Sequence, residues 1–254
     1  MARLLVTGSA SGIGRAVRQQ LLDEGHDVVG ADQRDADLCA DLSTEQGRSE
    51  VAAACGPLDG AVLCAGVAAL TGRPSSLLVS VNYYGAVGLL ELLRPQLSHD
   101  SSVVLLSSNS VSIQPGWSID LVKVLLDGTE QEARTLAEEL EPLGVYPATK
   151  AAVTRWMRRA APQWLADGIR INAVAPGFIS TPMSAGVADD PNYGRMIDAL
   201  TIPFGRPGHP DEVADAIRFL LSEQSRYVVG STLFVDGGLE VSLRADDWPE
   251  PWRL

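Results

Sequence analysis

Tyr146 and Lys150 stand four residues apart in GVYPATKAAV, residues 144–153. On a helix that spacing puts a phenol and an ammonium on one face. A phenol can give or take a proton, and a neighbouring cation tunes its readiness to do so. The lysine stands out because Lys123 and Lys150 are the only lysines among 20 basic residues. With five tyrosines and two lysines in 254 residues, about 0.04 such pairs are expected by accident. The pair is therefore a candidate acid–base apparatus.

A second constellation lies near the N-terminus. TGSASGIG (7–14) carries Gly8, Gly12 and Gly14, with Ser11 just before Gly12 and Ile13 between Gly12 and Gly14. Glycines let a backbone turn tightly and approach a pyrophosphate, and the following helix offers free N–H groups and the positive end of its dipole. Further on, DVVGAD ends in Asp32. A carboxylate there accepts hydrogen bonds from both hydroxyls of an adenosine ribose and repels a 2′-phosphate. Arg34 is the competing element, since a guanidinium could reach such a phosphate. Ser11 brings no cation, and the carboxylate decides the expectation for NAD over NADP.

These residues need a scaffold. Apolar runs suited to strands recur at 3–7, 27–31, 60–65, 102–107, 170–174 and 231–235, separated by amphipathic stretches of helical period. Strand and helix in alternation imply an α/β fold: one doubly wound parallel sheet of the Rossmann type, a single domain with helices on both faces. Ligands on such a sheet bind outside the carboxyl ends of the strands, where the glycine motif and Asp32 fall.

Composition narrows the partners. A net charge of −12 argues against nucleic acid and against anionic membranes, leaving a small molecule as the expected ligand. The first apolar run is too short for a signal peptide or a membrane span. Cys39, Cys55 and Cys64 form no disulfide pattern or zinc motif, so a reduced, cytoplasmic protein without a metal is expected. His26, His99 and His209 sit in polar, turn-like contexts and read as surface residues.

With TGSASGIG, Asp32, LCAG (63–66), Asn82, LLSS (105–108), YPATK and NAVAPGFISTPM (172–183) in this order, the sequence resembles the short-chain dehydrogenase/reductase family. The TGxxxGxG spacing looks like its dehydrogenase and reductase branch, not its epimerase and dehydratase branch. Within that branch the sequence looks most like the bacterial 3α-hydroxysteroid dehydrogenase/carbonyl reductases.

The resemblance implies residue roles. Tyr146 would be the general acid or base. Lys150 would bind the nicotinamide ribose and, with the cofactor, lower the phenol's pKa. Ser108 would hydrogen-bond the substrate oxygen, with Ser107, Ser110 and Ser112 close enough to compete for that role. Asn82 would hold a relay water through its backbone; by itself it also reads as a polar residue at a helix N-terminus. Asp41 and Leu42 would flank the adenine, Ala65 and Gly66 would pack on its ribose, and Ile179 and Thr181 would hold the carboxamide. Cys64 stands where the family pattern has asparagine, so the hydrogen bonding of that loop must differ.

Three segments depart from a minimal member of the family. Between Ser108 and Tyr146, residues 111–145 hold two basic and seven acidic residues. SIDLVKVLLDG (118–128) reads as a helix ended by Gly128, and TEQEARTLAEELEP (129–142) starts with a capping-box pair, Thr129 and Glu132. A helical hairpin is predicted, with Ala133, Leu136, Ala137 and Leu140 on one stripe. That stripe either packs on its own domain, lines the cleft or meets a second subunit; the resemblance favours subunit contact and a homodimer, with a homotetramer as the alternative.

Residues 183–205 carry Met183, Val187, Tyr193, Met196, Ile197, Leu200 and Ile202 and are expected to form a substrate lid. The tail 239–254 adds Trp248 and Trp252, suited to closing the cleft or reaching a partner. The expectation is an NAD-dependent oxidoreductase for a secondary alcohol and its ketone on an apolar substrate, steroids being one class and terpene or aromatic ketones another. A cofactor-sensing regulator that has lost the chemistry is the rival of a different class.

Overall fold

A computed structural model describes residues 1–195 and 200–247. Met196, Ile197, Trp248 and Trp252 of the expected lid and tail lie outside the described residues. Seven parallel strands form one sheet in the order β3-β2-β1-β4-β5-β6-β7: β1 (Arg3–Thr7), β2 (Asp27–Asp32), β3 (Leu38–Cys39), β4 (Leu58–Leu63), β5 (Leu97–Leu106), β6 (Arg170–Pro176) and β7 (Thr232–Val235). The direction of winding reverses between β1 and β4, which pair from Leu4↔Gly60 to Thr7↔Leu63. Six of these strands coincide with the apolar runs; β3 is a two-residue strand in a polar stretch, invisible to periodicity.

The strands are apolar throughout because both faces are covered. In β1, Leu5 points to one core, while Leu4 and Val6 point to the other, the alternation of a pleated strand. The second core takes Val17 and Leu21 from α1 (Gly12–Asp23) and Val213 and Ile217 from α9 (Pro210–Leu221). The first takes residues of α2 (Glu45–Cys55), α3 (Ser75–Gln96) and α7 (Pro142–Ala166). Helix α3 is long and apolar enough to cross a membrane, yet 67% of its apolar window is buried inside the protein. Its central part, Val79–Gly88, is a π-helix.

After β5 comes α4 (Ser110–Ile113), then the expected hairpin, α5 (Ile119–Asp127) and α6 (Glu130–Glu138). The capping box is present: the Thr129 hydroxyl accepts from the Glu132 N–H, and the Glu132 carboxylate accepts from the Thr129 N–H at 2.8 Å. The stripe packs within the chain, which corrects the expectation of a subunit contact there. Ala133 and Ala137 are fully buried in the α3/α7 core, and Leu136 and Leu140 pack half-buried on it. Hydrogen bonds hold it down: Arg134 to Ser80 Oγ at 2.6 Å, Ser75 Oγ to the Leu140 carbonyl at 2.8 Å, and Ser76 N–H to Glu138 at 2.8 Å. Two further helices, α8 (Pro182–Ala188) and α10 (Leu239–Leu243), border the cleft.

Candidate functional site

A cavity of about 470 Å³ opens at the carboxyl ends of β1 and β4, where the strand order reverses. Gly8, Ser11, Gly12, Ile13 and Gly14 line it. The glycines are demanded by crowding. A Cβ on Gly14 would stand 2.2 Å from the Gly8 carbonyl oxygen, and one on Gly8, at φ +66°, would stand 2.9 Å from the Ala65 nitrogen. Ser11 is the N-cap of α1 in extended conformation and its side chain makes no cap hydrogen bond, so the first turn presents its N–H groups to the cavity.

Asp32 lines the same cavity, one oxygen accepting from the Ala10 N–H at 3.0 Å and the other from the Gln33 N–H at 2.7 Å. The carboxylate is thus fixed by backbone and keeps lone pairs for a diol. Arg34 is exposed, and the cavity lining contains Asp32 and Gln33 but not Arg34. Arg18 is paired with Asp37 at 2.9 Å, where a backbone hydrogen bond from Gly30 also holds the carboxyl below its ordinary value. Among the described residues, no cation is therefore offered at the Asp32 wall.

Asp41, Leu42, Ala65 and Gly66 complete this end. At the position where asparagine was expected, Cys64 is buried, and the Ala65 N–H instead donates to Thr7 Oγ1 at 3.0 Å. Burial pushes the Cys64 thiol up to about 12, which keeps it neutral and unreactive.

Farther along, Ser108, Tyr146 and Lys150 meet on the wall of the cavity. Ser108 follows β5, and its Oγ accepts from the Ser110 N–H at 3.2 Å while its hydroxyl engages the Tyr146 phenol. The competing serines are occupied elsewhere: Ser107 Oγ with Thr154 Oγ1 at 2.7 Å, and Ser112 with Glu240 at 2.8 Å. Ser110 also lines the cavity, but its buried hydroxyl has no partner.

Lys150 donates to the Leu106 carbonyl at 2.9 Å. Asn82 lies in the π-helical part of α3, not at a helix start, which corrects that reading. Its side chain clamps Val67, accepting from the N–H at 2.8 Å and donating to the carbonyl at 3.0 Å. A Cβ on Gly66 would stand 3.2 Å from Asn82 Oδ1 and 3.5 Å from Lys150 Nζ. Ile179 and Thr181 line the cavity opposite, and the Thr181 methyl would be 3.3 Å from a Cβ on Gly12. That contact brings the β6 loop across to the glycine turn.

Comparison with known proteins decides the family. The sequence matches the NAD dependent epimerase/dehydratase family over residues 4–189 and the enoyl-(acyl carrier protein) reductase family over residues 141–240. It is 37% identical to the 3-alpha-hydroxysteroid dehydrogenase/carbonyl reductase of Comamonas testosteroni, over 96% of this chain and 98% of the relative. It is 33% identical to the cis-4-hydroxycyclohexanecarboxylate dehydrogenase of Sinomonas cyclohexanicum, over 92% and 94% of the two chains. The solved structure of the 3-alpha-hydroxysteroid dehydrogenase from Pseudomonas sp. B-0831, complexed with NADH, superposes with a TM-score of 0.92 at 42% identity, covering 96% of this chain and 99% of that one. The chain belongs to the short-chain dehydrogenase/reductase family.

In this dehydrogenase/reductase burial dominates the electrostatics of the pair. Burial pushes the Tyr146 phenol above its ordinary value, opposed by the hydrogen bond with Ser108. Burial in turn pushes the Lys150 ammonium down to about 8. The chain by itself therefore favours the protonated phenol.

Beyond the pair, the cavity of this family member is walled by apolar side chains: Ile113, Leu143, Met183, Val187, Tyr193 and Leu239. Several have no motif. Leu143 is positioned through a backbone device: Pro147, just after the tyrosine, has no N–H for the Leu143 carbonyl four residues back. Gln114 supplies the missing donor at 2.7 Å and so stitches the loop after α4 to the start of α7. The segment carrying Val187 and Tyr193 is held by Asp190, which accepts from Thr71 N–H and Oγ1, each at 2.7 Å, and from the N–H groups of Asn192 and Tyr193. Arg244 and Glu240 grip Ser112 and tie α10 to α4.

Proposed function

We propose that this chain interconverts a secondary alcohol and a ketone with NAD(H), on an apolar and cyclic substrate of the 3α-hydroxysteroid or carbonyl-reductase kind. The observation that carries the proposal is the meeting of Ser108, Tyr146 and Lys150 midway along one cavity, with glycine turn and Asp32 at one end and apolar side chains at the other. The residues suit the cofactor. The crowded glycines leave room for a pyrophosphate, and Asp32 faces the cavity with no cation among the described residues to accept a 2′-phosphate. Gly8, Ser11, Gly12, Ile13 and Gly14 would hold the phosphates, Asp32 the adenosine ribose, Asp41, Leu42, Ala65 and Gly66 the adenine side, and Ile179 and Thr181 the carboxamide. When bound, the nicotinamide supplies or accepts hydride.

The chain's own residues handle the proton. Ser108, whose oxygen accepts from Ser110 N–H, would orient the carbonyl oxygen with its hydroxyl. Tyr146 would hand its phenolic proton to that oxygen in reduction and recover it in oxidation. Because burial favours the protonated phenol, the free chain stands ready for reduction at neutral pH. Lys150 would bind the nicotinamide ribose, and Asn82, whose side chain is taken up by Val67, would act only through its backbone.

The segment 183–205 would serve as the substrate lid, given that Met183, Val187, Tyr193 and Leu200 line the cavity. The protein is proposed to work in the cytoplasm, with Cys39, Cys55 and Cys64 as free thiols. A homodimer is proposed, with a homotetramer as the alternative. Support comes from the exposed Phe219, Tyr227, Leu233 and Phe234 around β7, which has a neighbour on one side only.

The test is NADH oxidation against 3-ketosteroids, substituted cyclohexanones and small aromatic ketones. Turnover of the steroids supports the proposal; turnover of small ketones alone leaves a carbonyl reductase of other substrates. NADH binding with no turnover of any of them favours the regulatory reading.

A further inference from the structure

Arg48 is a cation that the proposed chemistry does not use. It stands on α2, 5% exposed, and a guanidinium does not shed its charge when buried. Two contacts account for it. One arm donates to the Leu42 carbonyl at 3.2 Å, and the other pairs with Glu130 at 2.6 Å. Leu42 belongs to the cavity wall, whereas Glu130 is the first residue of α6 in the insert. The guanidinium thus connects two segments 88 positions apart in sequence, Leu42 and Glu130.

The turn it grips is under close steric control. Asp41 and Leu42 fold back onto the start of α2. Thr44 Oγ1 donates to the Asp41 carbonyl at 2.9 Å and accepts from the Gly47 N–H at 3.0 Å. A Cβ on Gly47 would stand 2.1 Å from the Asp41 carbonyl oxygen, and one on Gly85 would stand 3.3 Å from that of Leu42. The Arg48 guanidinium lies 6.0 Å from the centre of the Tyr84 ring, beside the same stretch of α3. Leu42 therefore has α3 beneath it and the Arg48 arm on its carbonyl, and the position of that arm is set by Glu130.

We propose that the Arg48–Glu130 ion pair makes the helical insert part of the adenine-binding apparatus, with Arg48 as a positioning residue for the Asp41–Leu42 turn. The inference rests on the reading of that turn as the adenine wall. It gives the insert a role at the end of the cavity remote from the acid–base pair. It also accounts for an acidic residue at the first position of α6 beyond its favourable place in the helix dipole.

The test is binding of NADH and of 5′-AMP to the intact protein, read by fluorescence titration and calorimetry. Alongside them, turnover is measured with reduced nicotinamide mononucleotide, which has no adenine. Arg48→Met is expected to weaken NADH and 5′-AMP by about tenfold and to leave the mononucleotide's kcat/KM unchanged. Glu130→Gln, at a more accessible position, keeps a hydrogen-bond acceptor without the charge and is expected to weaken both adenine ligands several-fold. It provides the reading if Arg48→Met does not fold. Unchanged adenine-ligand affinity in Glu130→Gln, or an equal loss with the mononucleotide, overturns the inference. If the parent protein binds NADH but not 5′-AMP, the turn is not an adenine wall and both readings fall; if it binds both and the variants match it, only the inference falls.

Discussion

The two ends of the cavity are built by opposite means. At the glycine turn the wall is mainly backbone: residues 8–14 crowd against one another and against Ala65, and Asp32 is locked by two amide groups. At the far end the wall is side chain, contributed by segments around residues 113, 143, 187 and 239. Those segments are held by long-range polar ties, Thr71 to Asp190 and Ser112 to Glu240 and Arg244. A backbone wall tolerates almost no added atom, while a side-chain wall can change shape residue by residue. The first suits an invariant ligand, and the second suits a substrate that differs from one family member to another.

The largest effects should fall between the two ends. Tyr146→Phe is expected to lower turnover by about 10²-fold or more, the scale of a lost general acid, while NADH still binds in a fluorescence titration. Lys150→Arg keeps the charge but puts a fork where a compact ammonium stands, and a loss of about 10²-fold is expected. Parent-like rates in either variant would break the assignment of the pair.

Next comes the contrast itself. Gly14→Ala puts a methyl group 2.2 Å from the Gly8 carbonyl oxygen; a loss of about 1–3 kcal/mol of stability is expected, together with NADH affinity. Met183→Ala, at a half-exposed cavity residue, should leave the melting temperature within a degree or two while raising KM for a bulky ketone, given the ~1 kcal/mol scale of such contacts. If both variants behave alike, the distinction between backbone and side-chain walls is wrong.

A smaller change is expected from Asp32→Ala, which should narrow the preference for NADH over NADPH by about tenfold by removing a charge-assisted acceptor. Asp190→Asn should raise KM for the ketone by several-fold and leave NADH binding alone, because the carboxylate's four acceptor bonds hold only the substrate side. Loss of NADH affinity there would show that the two ends are mechanically coupled.

The smallest effect is a slope with pH. The folded chain holds Lys150 near 8 against an ordinary value of 10.5. Between those values the unfolded chain binds more protons, so this residue's contribution makes the fold more stable as pH rises through the window and is a cost below it. Urea denaturation at pH 7.5 and 9.5 should show that gain in the parent relative to Lys150→Met. Equal pH dependence in the two would mean that the ammonium is not desolvated.

What the sequence determined by itself is what depends on neighbours along the chain. The glycine turn, the strand that ends in Asp32, the Tyr146–Lys150 helix face and the Thr129–Glu132 box are local patterns, each within a few residues, and local sterics and hydrogen bonding enforce them. Tertiary structure decided what depends on segments meeting from afar. Nothing in ADLST announces that Leu42 is gripped by Arg48 and through it by Glu130, or that Asp190 latches onto Thr71. Nothing near Ala133 tells whether its stripe meets a second chain or, as found, the α3/α7 core, since both would bury the same apolar face. Nor does the spacing of Tyr146 and Lys150 fix the phenol's pKa: burial, which only the assembled fold supplies, drives it upward.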